Sequence, residues 1–422
     1  MNNGLPTGWA ASPIGDIVEA KYGKGLTERN RLKGSVPVFG SNGLVGTHNM
    51  PLTKGPTIVI GRKGSIGAVH YCPEPCWPID TTYFIDEFPD IDPEYLAHAL
   101  RSLRLSDLDT STAVPGLNRD DLYAQEVPLP PLNEQKRIVA GLQKLLPQVS
   151  GVSERLNRVE VILKRFRQAV LAAACSGRLT EDWREQNPDA GFSPTEIKSA
   201  LNGMMEGAEE FPDNWQVVRL GTLTALVTSG SRGWAKFYSD SGSTFIRAQN
   251  INSDALSLED RTFVKLPAQG EGLRTRVQQH DLLVTITGAN VTKSALVDKP
   301  IENAYVSQHV ALVRLSDVRI SKFLFYFTIS PAHGRKQLLA AAYGQGKPGL
   351  NLDNIRKMVI GLPPLAEQRE IIRRVESLLT LANQIEARCA QARTHADSLT
   401  QSILAKAFRG ELLAANNQCR VS

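Results

Sequence analysis

Four stretches of this chain, three of them glycine-bearing, hold side chains able to read hydrogen-bonding edges. They are Phe39-Gly-Ser-Asn-Gly43, Gly61-Arg-Lys-Gly-Ser-Ile-Gly67, Arg247-Ala-Gln-Asn250 and Thr287-Gly-Ala-Asn-Val-Thr-Lys293. Glycine lets backbone N–H groups come close to a phosphate. Arginine and lysine can pair with guanine edges, asparagine and glutamine with adenine edges, and serine and threonine with either. The candidate base- and phosphate-contacting residues are therefore Ser41, Asn42, Arg62, Lys63 and Ser65, and then Arg247, Gln249, Asn250, Thr287, Asn290 and Lys293. One such loop alone carries little weight, because surface loops of many proteins look similar. The basic cluster Lys21, Lys24, Arg29, Arg31 and Lys33 reads equally well as a solvated face.

Residues for bond-making chemistry are missing from the pattern. Gly61-x-x-Gly64-x-x-Gly67 has the wrong spacing for a dinucleotide fingerprint. No G-x-x-x-x-G-K-[ST] loop occurs; Gly344-Gln-Gly346-Lys347-Pro348 puts proline where that loop needs a metal-binding hydroxyl. There is no Asn/Asp-Pro-Pro-aromatic run of an adenine methyltransferase and no G-x-S-x-G elbow. His70, Cys72 and Cys76 fall short of a structural zinc site, which needs a fourth ligand and tighter pairs. We expect no catalytic, cofactor-binding or metal-binding residue in this chain.

The elements that must carry the loops are encoded in a chain of 422 residues, enough for two or three domains. Its hydrophobic and charged fractions, 42% and 22%, are those of an ordinary globular protein. The net charge of +5 permits nucleic-acid binding without arguing for it. No apolar run is long enough to span a bilayer, the N-terminus does not read as a secretory signal, and the five cysteines form no framework. The expected location is cytoplasmic, with no membrane partner.

The chain contains itself twice. Pro6-x-x-Trp9 followed by Ile14-Gly15 answers Pro212-x-x-Trp215 followed by Leu220-Gly221, at an offset of 206. Pro115-Gly-Leu-Asn118 answers Pro348-Gly-Leu-Asn351. Leu129-Pro-Pro-Leu132 answers Leu362-Pro-Pro-Leu365, and Glu134-Gln135 answers Glu367-Gln368, all at an offset of 233. About a third of residues 115–180 are identical to their partners, with no gap. Each copy thus has a constant tail and a variable body, residues 1–115 and 211–347. The bodies carry short strand-like runs, Thr57–Ile60, Thr82–Phe84, Leu282–Ile286 and Val310–Val313, between glycine-rich turns.

Beyond each LPPL segment the apolar residues step by four and three. The first seam holds Ile138, Leu142, Leu145, Leu156, Leu163 and Phe166, the second Ile371, Val375, Leu378, Ile385, Leu399 and Ile403. This is a coiled-coil pattern. Gly177 and Gly410 should end the two helices. A helix of about 43 residues is about 65 Å long and needs a partner of equal length, which the other copy supplies. Ala382, Ala392 and Ala396 should let the first helix approach closely, and Pro147 should kink the first helix. Between the copies, Ser193-Pro-Thr-Glu196 reads as the start of a short linker helix.

The expected fold class is α+β: two globular target-recognition domains separated by two long antiparallel coiled-coil helices, as a pseudo-two-fold repeat. The expected divisions are 1–131 and 211–364 for the domains and 132–180 and 365–413 for the helices. Residues 181–210 are the linker and 414–422 a tail.

The paired Pro-x-x-Trp openings, the PGLN and LPPL-x-EQ segments and the helix ends LKRFRQAVL and LTQSILAKAF together resemble the specificity subunit of type I restriction–modification systems. The resemblance covers nearly the whole chain and is carried most by the tails. It implies that each body reads one half of a split, asymmetric target in double-stranded DNA. It implies two modification subunits that methylate adenine with S-adenosylmethionine, and restriction subunits that consume ATP with Mg, docked on a chain with no catalytic centre of its own. Helix length would then set the gap between half-sites, so an inserted heptad should change the spacer or abolish methylation. Alternatives are a stand-alone DNA-binding regulator, which would hold its site without a modification subunit; a self-sufficient adenine methyltransferase, which would crosslink to S-adenosylmethionine; and a coiled-coil adaptor, which would leave no footprint on DNA.

Overall fold

The computed structural model describes residues 5–108, 116–192, 211–266, 272–344 and 348–412. The expected linker helix at Ser193 lies outside them. Two globular domains are linked by long helices, Leu132–Cys175 and Leu365–Phe408, each of 44 residues and so about 66 Å long. The chain divides into two compact units: Met1–Arg158 with Cys389–Ser422, and Val159–Arg388. Each unit therefore takes the start of one long helix and the end of the other.

Within each unit the two helix segments pair antiparallel. In the first, Ile138, Val139 and Leu142 share a core with Leu404, Ala407 and Phe408. In the second, Val170, Leu171, Ala174 and Cys175 share one with Ile371 and Val375. Polar rungs flank these seams: Arg393 donates to Asn157 at 2.6 Å in the first unit, and Arg167 to Glu386 at 2.7 Å in the second. Leu399 departs from expectation and is 51% exposed. The burial passes instead through Ala396, Leu404, Ala407 and Phe408, so the strict four-three step is lost near the helix end, where the body rather than a second helix is also being packed. The first helix runs unbroken through Pro147; what the proline removes is the bond to the Gln143 carbonyl.

The bodies differ in sequence but share a plan. In the first, a four-stranded antiparallel sheet has the order Lys21–Tyr22, Thr82–Ile85, Thr57–Gly61, Val69–Cys72. In the second, Thr224–Ser229, Val310–Leu315, Leu282–Thr285 and Ser294–Leu296 stand in the same order. The inner strands are buried on both faces, which is why they read as apolar runs without alternation. A helix follows each sheet: Pro93–Ser102, capped by Asp92, and Ser321–Ile329. A smaller sheet in each body contains one parallel pair, Val38 against Trp77 and Phe245 against Tyr305. A two-stranded ribbon closes each body, pairing Ala10 with Leu129 and Gln216 with Leu362.

Candidate nucleic-acid interface

The motifs that repeat meet at one node in each unit. Pro6 and Trp9, and likewise Pro212 and Trp215, form a turn in which the tryptophan N–H donates to the proline carbonyl, at 3.1 and 2.9 Å. The indole Nε1 of Trp9 donates to Glu134 at 3.2 Å, and that of Trp215 to Glu367 at 3.0 Å. The next residue, Gln135 or Gln368, turns back to donate to the Pro130 or Pro363 carbonyl of its own LPPL segment, at 2.9 and 2.8 Å. The proline of each turn lies on the glycine that ends the other copy's helix. A Cβ at Gly410 would come within 2.4 Å of Pro6, and one at Gly177 within 2.4 Å of Pro212. Both glycines have φ of +78°, so this position excludes a side chain on two grounds. The constant tail thus locks each body to the starting turn of one long helix and the end of the other.

The same constant tail also holds the candidate loops. In the first unit Lys63 forms a β-bridge with Gly116, and Leu117 N–H donates to the Arg62 carbonyl at 2.9 Å. In the second, Thr287 bridges Gly349, and Leu350 N–H donates to the Ile286 carbonyl at 2.8 Å. The PGLN segments are the matched partners of loops whose sequences do not match.

The structure brings the first unit's candidates together. Ser41 and Asn42 form the tip of the hairpin Val36–His48, and a Cβ on Gly64 would touch the Ser41 hydroxyl at 3.3 Å. Asn42 and Lys63 are exposed; Arg62 and Ser65 are half-buried. Arg62 donates to the Asp80 carbonyl at 2.8 Å while its buried Nε has no acceptor. Sequence reading missed Tyr22, Tyr83, Arg119 and Tyr123. Arg62 and Arg119 each lie 5.3 Å from the Tyr22 ring, and 5.8 Å from Tyr83 and Tyr123 respectively. Burial and the hydroxyl of Tyr22 push Tyr83 up to about 12, against the pull of the two arginines. Nothing in a linear motif marks this cluster, because its members come from four elements.

In the second unit the two candidate stretches also meet, since Asn290 donates to the Ala248 and Ile251 carbonyls at 3.3 and 3.4 Å. That contact gives Asn290 a task in shaping the loop. Asn250 is a correction: it is 4% exposed, and its amide is consumed by Arg247 N–H and the Ser257 and Asp260 carbonyls. It builds the turn instead of facing a ligand. Arg247 and Gln249 both reach the exposed Asp260, at 3.4 and 3.3 Å. They border a cavity of about 250 Å³ with Trp234, Tyr238, Gln308 and His309. Thr287 and Lys293 are half-buried. Gln308 and His309 were not legible in the sequence.

His70 Nε2 lies 3.2 Å from the Ser41 carbonyl and Cys72 donates to the Glu74 carbonyl at 3.2 Å; burial and the neighbouring Cys76 push the Cys72 thiol up to about 11. Among the described residues no group of three or more His, Cys, Asp or Glu could hold a metal, and no helix is long and apolar enough to cross a membrane.

With this geometry in view, the comparisons with known proteins agree. The type I restriction modification DNA specificity domain matches twice, at residues 6–161 and 212–391. The EcoBI specificity subunit of Escherichia coli is 32% identical over 85% of this chain and 74% of its own length. The EcoDI specificity subunit of Escherichia coli is 28% identical over 97% and 90%. A solved chain from a study of the assembly and conformational transition of the type I R-M system superposes with a TM-score of 0.63. It shares 18% identity over 96% of this chain and 99% of that one, and so shows a shared fold. The chain belongs to the family of type I restriction–modification specificity proteins. Its role is that of the DNA-specificity subunit of such a complex, a non-catalytic one.

Proposed function

We propose that residues 1–131 and 211–364 each read one half of a bipartite, asymmetric DNA target. The observation that carries this reading is the matched bridge of Lys63 to Gly116 and Thr287 to Gly349. A segment repeated in both copies presents loops of different sequence at the same place in the two bodies, so recognition can differ without disturbing the frame. Ser41, Asn42, Arg62, Lys63 and Ser65 serve the first half. Arg247, Gln249, Thr287 and Lys293 serve the second, joined by Gln308 at the rim of the same cavity. Base edges in the major groove distinguish all four pairs, and a good bidentate contact is worth about 1–3 kcal/mol of discrimination.

The chemistry comes from partners: two modification subunits using S-adenosylmethionine, and restriction subunits using ATP and Mg, in the cytoplasm. Side chains left exposed on the long helices, Val161, Ile162 and Leu381 at 52%, 60% and 50%, support a further protein on these helices. The test is to assemble the chain with a modification subunit of its system and sequence the methylated adenines. The expected result is a split target. Lys63→Ala should relax only the first half and Gln249→Ala only the second. A continuous target, or one variant relaxing both halves, would defeat the reading.

A further inference from the structure

In the first unit, five side chains from four elements interleave as Tyr83, Arg62, Tyr22, Arg119, Tyr123, with each guanidinium within 6 Å of two rings. Tyr22 is 53% exposed, so the stack opens to solvent. Two like charges converge on one ring there. Yet among the described residues neither arginine has a carboxylate partner. Among the described residues Arg62 donates to one carbonyl, that of Asp80, and Arg119 to none. Lys63 is exposed beside them.

The ring contacts account for where the guanidiniums sit, but not for why neither pairs with Asp80, Asp120 or Asp121, which are close to them in the structure or the chain. Two guanidiniums brought to one ring with no ion pair among the described residues leave charged donors for an added anion. A guanidinium set between two rings keeps its N–H groups as donors, and that donor set suits a phosphate. The repeat supplies a contrast. Arg119 follows the first PGLN segment, and the equivalent residue after the second is Leu352. The constant frame tolerates an apolar side chain at this step, so the arginine is not required by the fold.

We propose that Arg119, set between Tyr22 and Tyr123, is a DNA-backbone anchor of the first unit. It contacts a phosphodiester and carries no sequence information. The inference rests on the DNA-reading role described above. A phosphate contact releases condensed counterions, so its loss reduces the salt dependence of binding by about one unit of slope and weakens affinity about fivefold at physiological salt, equally on all sequences.

The experiment measures binding of the assembled complex to its own target from low to moderate salt, for the unaltered chain, Arg119→Leu and Arg119→Lys. The leucine variant should bind about fivefold more weakly with a slope shallower by about one, and methylate an unchanged target sequence. The lysine variant, which keeps the charge, should keep the slope. A leucine variant with unaltered slope and affinity would overturn the proposal. So would a changed base preference in the first half-site, which would make Arg119 a reader. A lysine variant as weak as the leucine variant would assign the loss to packing and overturn it too. If the unaltered complex bound no DNA, the DNA-reading role itself would be at fault.

Discussion

Glu134 and Glu367 occupy the same step of the repeat, near the start of a long helix, and each accepts from the indole of its Pro-x-x-Trp turn. Their surroundings differ. Glu367 is fully buried and also accepts from Thr180, Asn214 and Arg184. Glu134 is half-buried, with Gly8 where the second copy has Asn214. In sequence, Leu413 and Asn417 stand where Thr180 and Arg184 do. The shared Trp–Glu and Pro–Gly contacts are therefore what the frame needs. The remaining polar partners make the second node tighter without changing its shape.

The largest effect that sharpens this comparison is expected from Glu367→Ala. It strands the buried Trp215 N–H, leaves the half-buried Arg184 with only Thr180, and should destabilise the second unit by about 3 kcal/mol. Glu134→Ala should cost about 1–3 kcal/mol in the first. Hydrogen exchange followed by mass spectrometry resolves the two units; equal losses would break the distinction. A second contrast lies along the second helix. Leu404, 2% exposed, should cost about 2–5 kcal/mol on change to alanine. Leu399→Ala should stay within about 0.5 kcal/mol. Chemical denaturation of the full chain checks both, and a large loss at Leu399 would restore the strict heptad seam.

Within the second body, Asn250→Ala should cost about 1–3 kcal/mol by releasing buried backbone groups. Gln249→Ala should leave denaturation unchanged and alter only recognition. The smallest effect concerns pH. Burial, then the adjacent Arg101, lowers the His98 imidazole from 6.5 to about 4. Its folded value lies below its unfolded one, so between those values the unfolded chain takes up a proton that the folded one refuses. Stability of the first unit should be full above pH 6.5 and decline as pH falls toward 4. His98→Gln should flatten that slope in denaturation curves; an unchanged slope would exclude His98 as its source.

The frame was legible in the sequence because its determinants are local and doubled. The four-three step, the LPPL segments and the terminal glycines each announce themselves within a few residues, and each appears twice. The apolar runs at Thr57 and Leu282 gave strands for the same reason. What the Pro-x-x-Trp turns do was not legible, because each completes its node with a glycine on the other copy's helix. The shared strand order of the bodies was hidden by their divergence, since buried strands constrain only apolarity. Among site residues, composition could not separate Asn250, whose amide bonds the backbone, from its neighbour Gln249, which lines the cavity. The Tyr22–Arg119 stack left no linear trace at all.

The account's central claim is that each body reads its own half of the target while the frame stays constant. It is tested most directly by replacing residues 1–115 with the body of another family member, assembling the chimera with its modification subunit, and sequencing the methylated adenines. The account predicts that the first half of the target changes and the second is kept. A target altered in both halves would contradict it.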